Sequence, residues 1–172
     1  MRQGILTGLA LFTAFLLQTA VLPAFGVMSV SPDLLLVVLI PAAMLWKPIP
    51  TAFMGAAAGL LVDVFFSHGI GLYSIPYLLA PWLAGVYGSR FFRENAFVPA
   101  GLAAAALALR ELLTALMVYM ARMPFDISGA YVLRTLASAL LTAGLTIPYH
   151  LFFYGYMLKH ERRKPGLIYF GR

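Results

Sequence analysis

Long apolar runs broken by short clusters of polar residues, Gly and Pro organise this chain. Read for helical length, they predict six helices. The first runs from about Gly4 to Phe25, the second from about Asp33 to Trp46 and the third from about Thr51 to Ser67. The fourth covers about Leu72 to Phe92, the fifth about Phe97 to Met120 and the sixth about Ala130 to Leu158. Pro32 stands at the entry to the second, and Trp46-Lys47-Pro48-Ile49-Pro50 breaks it from the third. About 20 apolar residues are needed to cross a bilayer. The second run is short for that, so it is tilted little, re-entrant, or continued through Pro32. Pro76 and Pro81 make the fourth the one most open to breakage, and Pro148 is a possible kink in the sixth.

Composition sharpens this picture. Of 172 residues, 62% are hydrophobic and 10% charged, and mean hydropathy is +0.90. An ordinary soluble domain carries roughly 25% charged residues, so most of this surface faces lipid rather than water. The organisation expected is one all-α polytopic membrane domain, residues 1–158, followed by a basic tail, residues 159–172. The start, Met1-Arg2-Gln3 and a long apolar run, reads as an uncleaved first span, because Val21-Leu22-Pro23-Ala24 is a poor cleavage site.

The net charge of +6 changes meaning in this setting. Nine of the 12 cations (Arg2, Lys47, Arg90, Arg93, Lys159, Arg162, Arg163, Lys164 and Arg172) fall on one side of the six-span topology. Arg122 falls on the other, and Arg110 and Arg134 lie within spans. The positive-inside bias then places both termini in the cytoplasm and removes the need for a nucleic-acid partner. The tail cations read as a solvated segment attracted to anionic lipid, with a partner-docking peptide as the alternative.

Candidate chemistry is sparse. With no Cys there are no disulfides or thiolate sites. His68, His150 and His160 are scattered with no carboxylate at ligand spacing, so no metal or other cofactor is expected. Neither a nucleophile elbow nor a phosphate-binding glycine loop is present. Paired carboxylates on one helix face are also missing, and a proton relay would have Asp63 and Glu111 alone. An enzyme is therefore not expected.

What remains are ionisable groups within spans, each costing about 2.5–3.5 kcal/mol at mid-helix. Asp63 and Arg134 fall at similar depth and are expected to pair, tying the third helix to the sixth. Adjacent Arg110 and Glu111 point about 100° apart on a helix and are not expected to pair mainly with each other. Glu111 is free to share Arg134, while Arg110 needs an acceptor from another helix, a carbonyl or a partner. Small residues at Gly4/Gly8, Ala10/Ala14 and Gly55/Gly59 permit close backbone approach, within the bundle or toward a partner helix.

One stretch carries a resemblance. Gly59-Leu60-Leu61-Val62-Asp63, then Ser67-His68-Gly69, then Gly71-Leu72-Tyr73, resembles the signature region of the MreD family of rod shape-determining membrane proteins. Pro32-Asp33-Leu34 resembles that family's entry to its second span. The matching positions are Pro32, Asp33, Gly59, Asp63, Gly71 and Leu72, for which the resemblance implies packing, capping and turn roles.

The resemblance implies a non-enzymatic subunit in the bacterial inner (cytoplasmic) membrane. Its implied partner is MreC, a single-span protein, and through it RodA with its class B penicillin-binding protein and the MreB filament. It also implies a fold like that of the substrate-binding subunits of energy-coupling-factor vitamin transporters. Such a transporter subunit is the rival reading, with Asp63, His68, Tyr73, Arg122 and Tyr131 as possible vitamin contacts.

Overall fold

The computed structural model describes residues 2–21, 30–66, 71–91, 95–120, 122 and 129–161. These residues form six helices. Helix α1 spans Arg2–Leu16 and runs on into a π-helical turn, Leu17–Val21. The others are α2 Leu34–Leu45, α3 Pro48–Phe66, α4 Ser74–Phe91, α5 Phe97–Met120 and α6 Gly129–Glu161. Helix α5 coincides with the segment read from the apolar pattern. Helices α3, α4 and α6 shift from their expected ends by up to three residues, within ordinary fraying. The stretch expected to end the first helix, up to Phe25, lies outside the described residues.

By length and composition, α1 with its π-helical turn, α3, α5 and α6 are long and apolar enough to cross a membrane. Helix α2 has 12 residues, about 18 Å at 1.5 Å per residue, well short of the ~30 Å hydrocarbon core. Its place in the fold explains how so short a helix is stable. Every residue from Leu35 to Leu45 is buried, and α2 touches all five other helices. The apolar cluster at the centre is built around it, from Leu35, Leu36, Leu39, Ile40 and Met44 with Leu11, Tyr77 and Leu107. A helix that is apolar on every side belongs in an interior, and here protein surrounds it.

The outward faces invert the soluble pattern. Ile5, Leu9 and Phe12 on α1, Phe53 and Phe65 on α3, Leu112 and Leu116 on α5, and Leu133, Leu140 and Phe152 on α6 are all exposed. Exposed apolar surface of this extent matches a lipid solvent.

Helix α4 is continuous despite its two prolines. Pro76 lies in the first turn, where no intrahelical N–H is needed. Pro81 has no N–H to give the carbonyl of Tyr77 four residues earlier. That carbonyl lies against Gly55 of α3, where a Cβ would sit 2.1 Å from it. One turn on, a Cβ at Gly59 would sit 2.7 Å from both the Tyr73 carbonyl and the Ser74 Cα. Gly55 and Gly59 thus let the α3 and α4 backbones touch, with Gly85 of α4 closing on Pro48 and Ala43. In the first helix Gly4 seats the Trp46 ring and Gly8 faces Met54.

Candidate functional site

Two carboxylates organise the polar interior, and both sit at helix N-termini. The first four N–H groups of any helix lack intrahelical partners, and within a membrane no water is at hand to satisfy them. Asp63 answers this for α4. Its Oδ2 accepts the N–H of Gly71 at 2.9 Å and of Ser74 at 3.1 Å, and its Oδ1 accepts the N–H of Tyr73 at 2.9 Å. The Ser74 hydroxyl also donates to it. Gly71 has φ +108°, a left-handed conformation that suits glycine, and it turns the chain back over the carboxylate.

The expected Asp63–Arg134 pair therefore does not form. Asp63 is 2% exposed and held by backbone amides, whereas Arg134 is exposed on α6. Leu72 is half-buried in the turn and Pro32 is buried beside Asp33. His68 lies outside the described residues.

An Asp63→Ala variant should lose about 1–2 kcal/mol, the upper range for removing a cap, with α4 fraying first at Ser74. Thermal unfolding in mild detergent measures the first effect, and hydrogen exchange at Tyr73 and Ser74 measures the second. Wild-type protection at both amides would refute the capping role.

Asp33 does the same for α2 and more. Its Oδ1 accepts the N–H of Leu36 at 3.1 Å, while its own N–H donates to Thr142 Oγ1 of α6 at 2.9 Å. Thr142 in turn donates to the Ser138 carbonyl at 2.7 Å. Gln18, in the π-helical turn, accepts the N–H of Leu35 at 3.3 Å. The second carboxylate oxygen of Asp33 accepts from the Tyr77 hydroxyl at 2.7 Å and forms an ion pair with Arg110 Nη1.

Arg110 continues the chain of contacts. Its other terminal nitrogen pairs with Glu111, whose second oxygen accepts from the Tyr131 hydroxyl of α6 at 2.6 Å. The guanidinium lies 5.4 Å from the Tyr73 ring centroid, within cation–π range, and its Nε is buried without a hydrogen-bond partner. Arg110 and Glu111, expected to pair elsewhere, do pair with each other, because the long arginine side chain spans the angle between their positions. Glu111 does not share Arg134; Tyr131 takes that place. The acceptor Arg110 needed is Asp33, 77 residues away in sequence.

This cluster joins α2, α4, α5 and α6 deep in the bundle. Arg110 is ten residues from the Met120 end of α5, about 15 Å along the axis, or half the hydrocarbon thickness. Of the contacts considered for a vitamin, Tyr73 and Tyr131 converge on Arg110 and Glu111. Asp63 is consumed by the α4 amides, and Arg122 is exposed beyond α5.

A bundle with apolar outer faces, close glycine contacts between helices and a single buried charge cluster among the described residues defines a helical membrane protein. The family model described as rod shape-determining protein MreD matches residues 3–159. The chain belongs to the MreD family. No curated protein and no solved structure matches it.

Proposed function

We propose that this protein is a non-enzymatic subunit of the cell-wall elongation machinery in the bacterial cytoplasmic membrane. It acts there by helix–helix contact with an MreC-type single-span protein. The observation that carries this reading is the family match across residues 3–159. Through that partner the bundle supports RodA, its class B penicillin-binding protein and the MreB filament. All six helices lie within the membrane and both termini face the cytoplasm, consistent with nine cations at one end of the topology.

The architecture suits a scaffold. Gly55, Gly59 and Gly85 and the charged groups of Asp33, Asp63, Arg110 and Glu111 are spent on internal contacts, while its outer faces are broad and apolar. A partner span is met by dispersion and shape on such a surface.

Affinity purification from the native membrane in mild detergent, with every co-purifying protein identified, tests this. Recovery of a single-span protein with a coiled-coil extracytoplasmic region is the expected result. A coupling subunit with paired ATPases and a bound vitamin would overturn the reading and make the chain a transporter subunit.

A further inference from the structure

We propose that the first segment of α6, Gly129 to Leu141, is hinged on the rest of that helix and latched to α5 by the hydrogen bond from Tyr131 to Glu111. Helix α6 has 33 residues, about 50 Å at 1.5 Å per residue, and its two parts are held differently. From Thr142 onward the inward face is sealed: Thr142, Thr146 and His150 have no exposed surface, and Phe153 is buried. Before Thr142 the same helical face carries Tyr131, Thr135 and Ser138, spaced by four and three residues, and all three are half-buried. No residue from Gly129 to Leu141 is fully buried. A lipid-facing helix still buries an inward stripe, as α3 does from Thr51 to Asp63. The first segment of α6 lacks one, and few buried contacts mark a unit that opens locally.

Between the two parts lies a stretch built to bend. The Thr142 and Thr146 hydroxyls donate back to the carbonyls of Ser138 and Thr142, each at 2.7 Å. Such bonds compete with the backbone ladder and bend helices. Pro148 lies inside the helix and has no N–H to give the carbonyl of Gly144. A Cβ added at Gly144 would meet nothing within 4 Å, so that turn has room to move. The Asp33 N–H holds Thr142 to the start of α2 at 2.9 Å, which anchors the near edge of the hinge.

The latch sits at the free end. The Tyr131 hydroxyl reaches Glu111 at 2.6 Å, and the Glu111 side chain is 21% exposed, so this bond closes the rim rather than the core. Parting it frees the segment and leaves the Arg110–Asp33 pair, on α5 and α2, in place. One flank of the bundle thereby gains two positions while the centre stays closed.

The chain has no Cys, so spin labels attach only where cysteines are introduced. Leu133 with Phe65 reports the first segment, and Phe152 with Phe53 reports the rest of α6; all four are exposed. A bend of about 20° at Gly144 moves Leu133, roughly 16 Å away along the axis, by about 6 Å. Pulsed electron–electron resonance in lipid nanodiscs should show one dominant Leu133–Phe65 distance in the otherwise unmodified chain. Tyr131→Phe, which removes only the hydroxyl, should add a second population displaced by about that amount. Pro148→Ala in the same background supplies the missing N–H to Gly144 and should remove that population. The Phe152–Phe53 distance should be the same throughout. A second population no larger in Tyr131→Phe than without it, its survival beside Pro148→Ala, or an equal change between Phe152 and Phe53 would overturn the proposal.

Discussion

Asp33→Ala is expected to destabilise the bundle by about 3 kcal/mol, the lower end of the cost of breaking a buried ion pair, because Glu111 still faces Arg110. Asp33 is 2% exposed, and three separate donors depend on its carboxylate: Arg110, the Tyr77 hydroxyl and the Leu36 amide. Removal strips α2 of its cap and leaves the buried guanidinium with Glu111 as its remaining carboxylate partner. Glu111→Gln should cost much less, about 1 kcal/mol. Its side chain is 21% exposed, and a neutral amide still accepts from Tyr131.

The double variant Asp33→Ala with Arg110→Met distinguishes the pair from its parts. With the guanidinium gone as well, its loss should be smaller than the sum of the Asp33→Ala and Arg110→Met losses, since paired groups are not additive. Denaturation in mixed micelles followed by tryptophan fluorescence reads the two singles, Asp33→Ala and Arg110→Met, and the double variant. A double variant as unstable as the sum of the singles would show that Asp33 and Arg110 act independently.

The second large effect is at Gly55. A methyl group there would meet the Tyr77 carbonyl oxygen at 2.1 Å and the carbonyl carbon at 3.1 Å. Neither is the end of a flexible side chain, so α3 and α4 must separate. Overpacking typically costs 1–3 kcal/mol, and Gly55→Ala should fall at or above about 3 kcal/mol. Tyr77 is the residue displaced, and its hydroxyl holds Asp33, so the damage reaches the charge cluster as well. Gly101→Ala is the matched control. Nothing lies within 4 Å of its added Cβ, and alanine is the better helix former, so stability at or above wild type is expected. Thermal melts of the two variants side by side decide it. Equal melting temperatures would show that the α3–α4 contact tolerates a methyl group.

The helices were legible because long apolar runs in a low-charge chain have few other uses, and α5 could be read end to end from Phe97 to Met120. The continuity of α4 was not. Pro81 signals a break by local rules, and what relieves it is the place Gly55 makes, on another helix, for the carbonyl left without its amide. The charged residues were recognisable as unusual, yet their partners were misjudged for a shared reason. Pairing charge with charge by depth led to Asp63 and Arg134, while Asp63 was bound to neutral amides at the start of α4. Asp33 carried a readable sign, an Asp between Pro32 and an apolar run, which marks a helix cap. That the cap would also hold Arg110 depends on α2 lying at the centre, and no local pattern encodes that position.

The brevity of α2 bears on how the protein is made. Most membrane helices are inserted one by one as independently stable spans and associate afterwards. A segment of about 18 Å with an aspartate at one end and Lys47 at the other cannot follow that schedule. Its partners Arg110 of α5 and Thr142 of α6 are made later, so its settled place is expected only once both have been synthesised. Folding is thus expected to close late and from the C-terminal half, and truncation before α6 should leave α2 exposed to quality-control proteolysis, read as faster turnover in a pulse-chase.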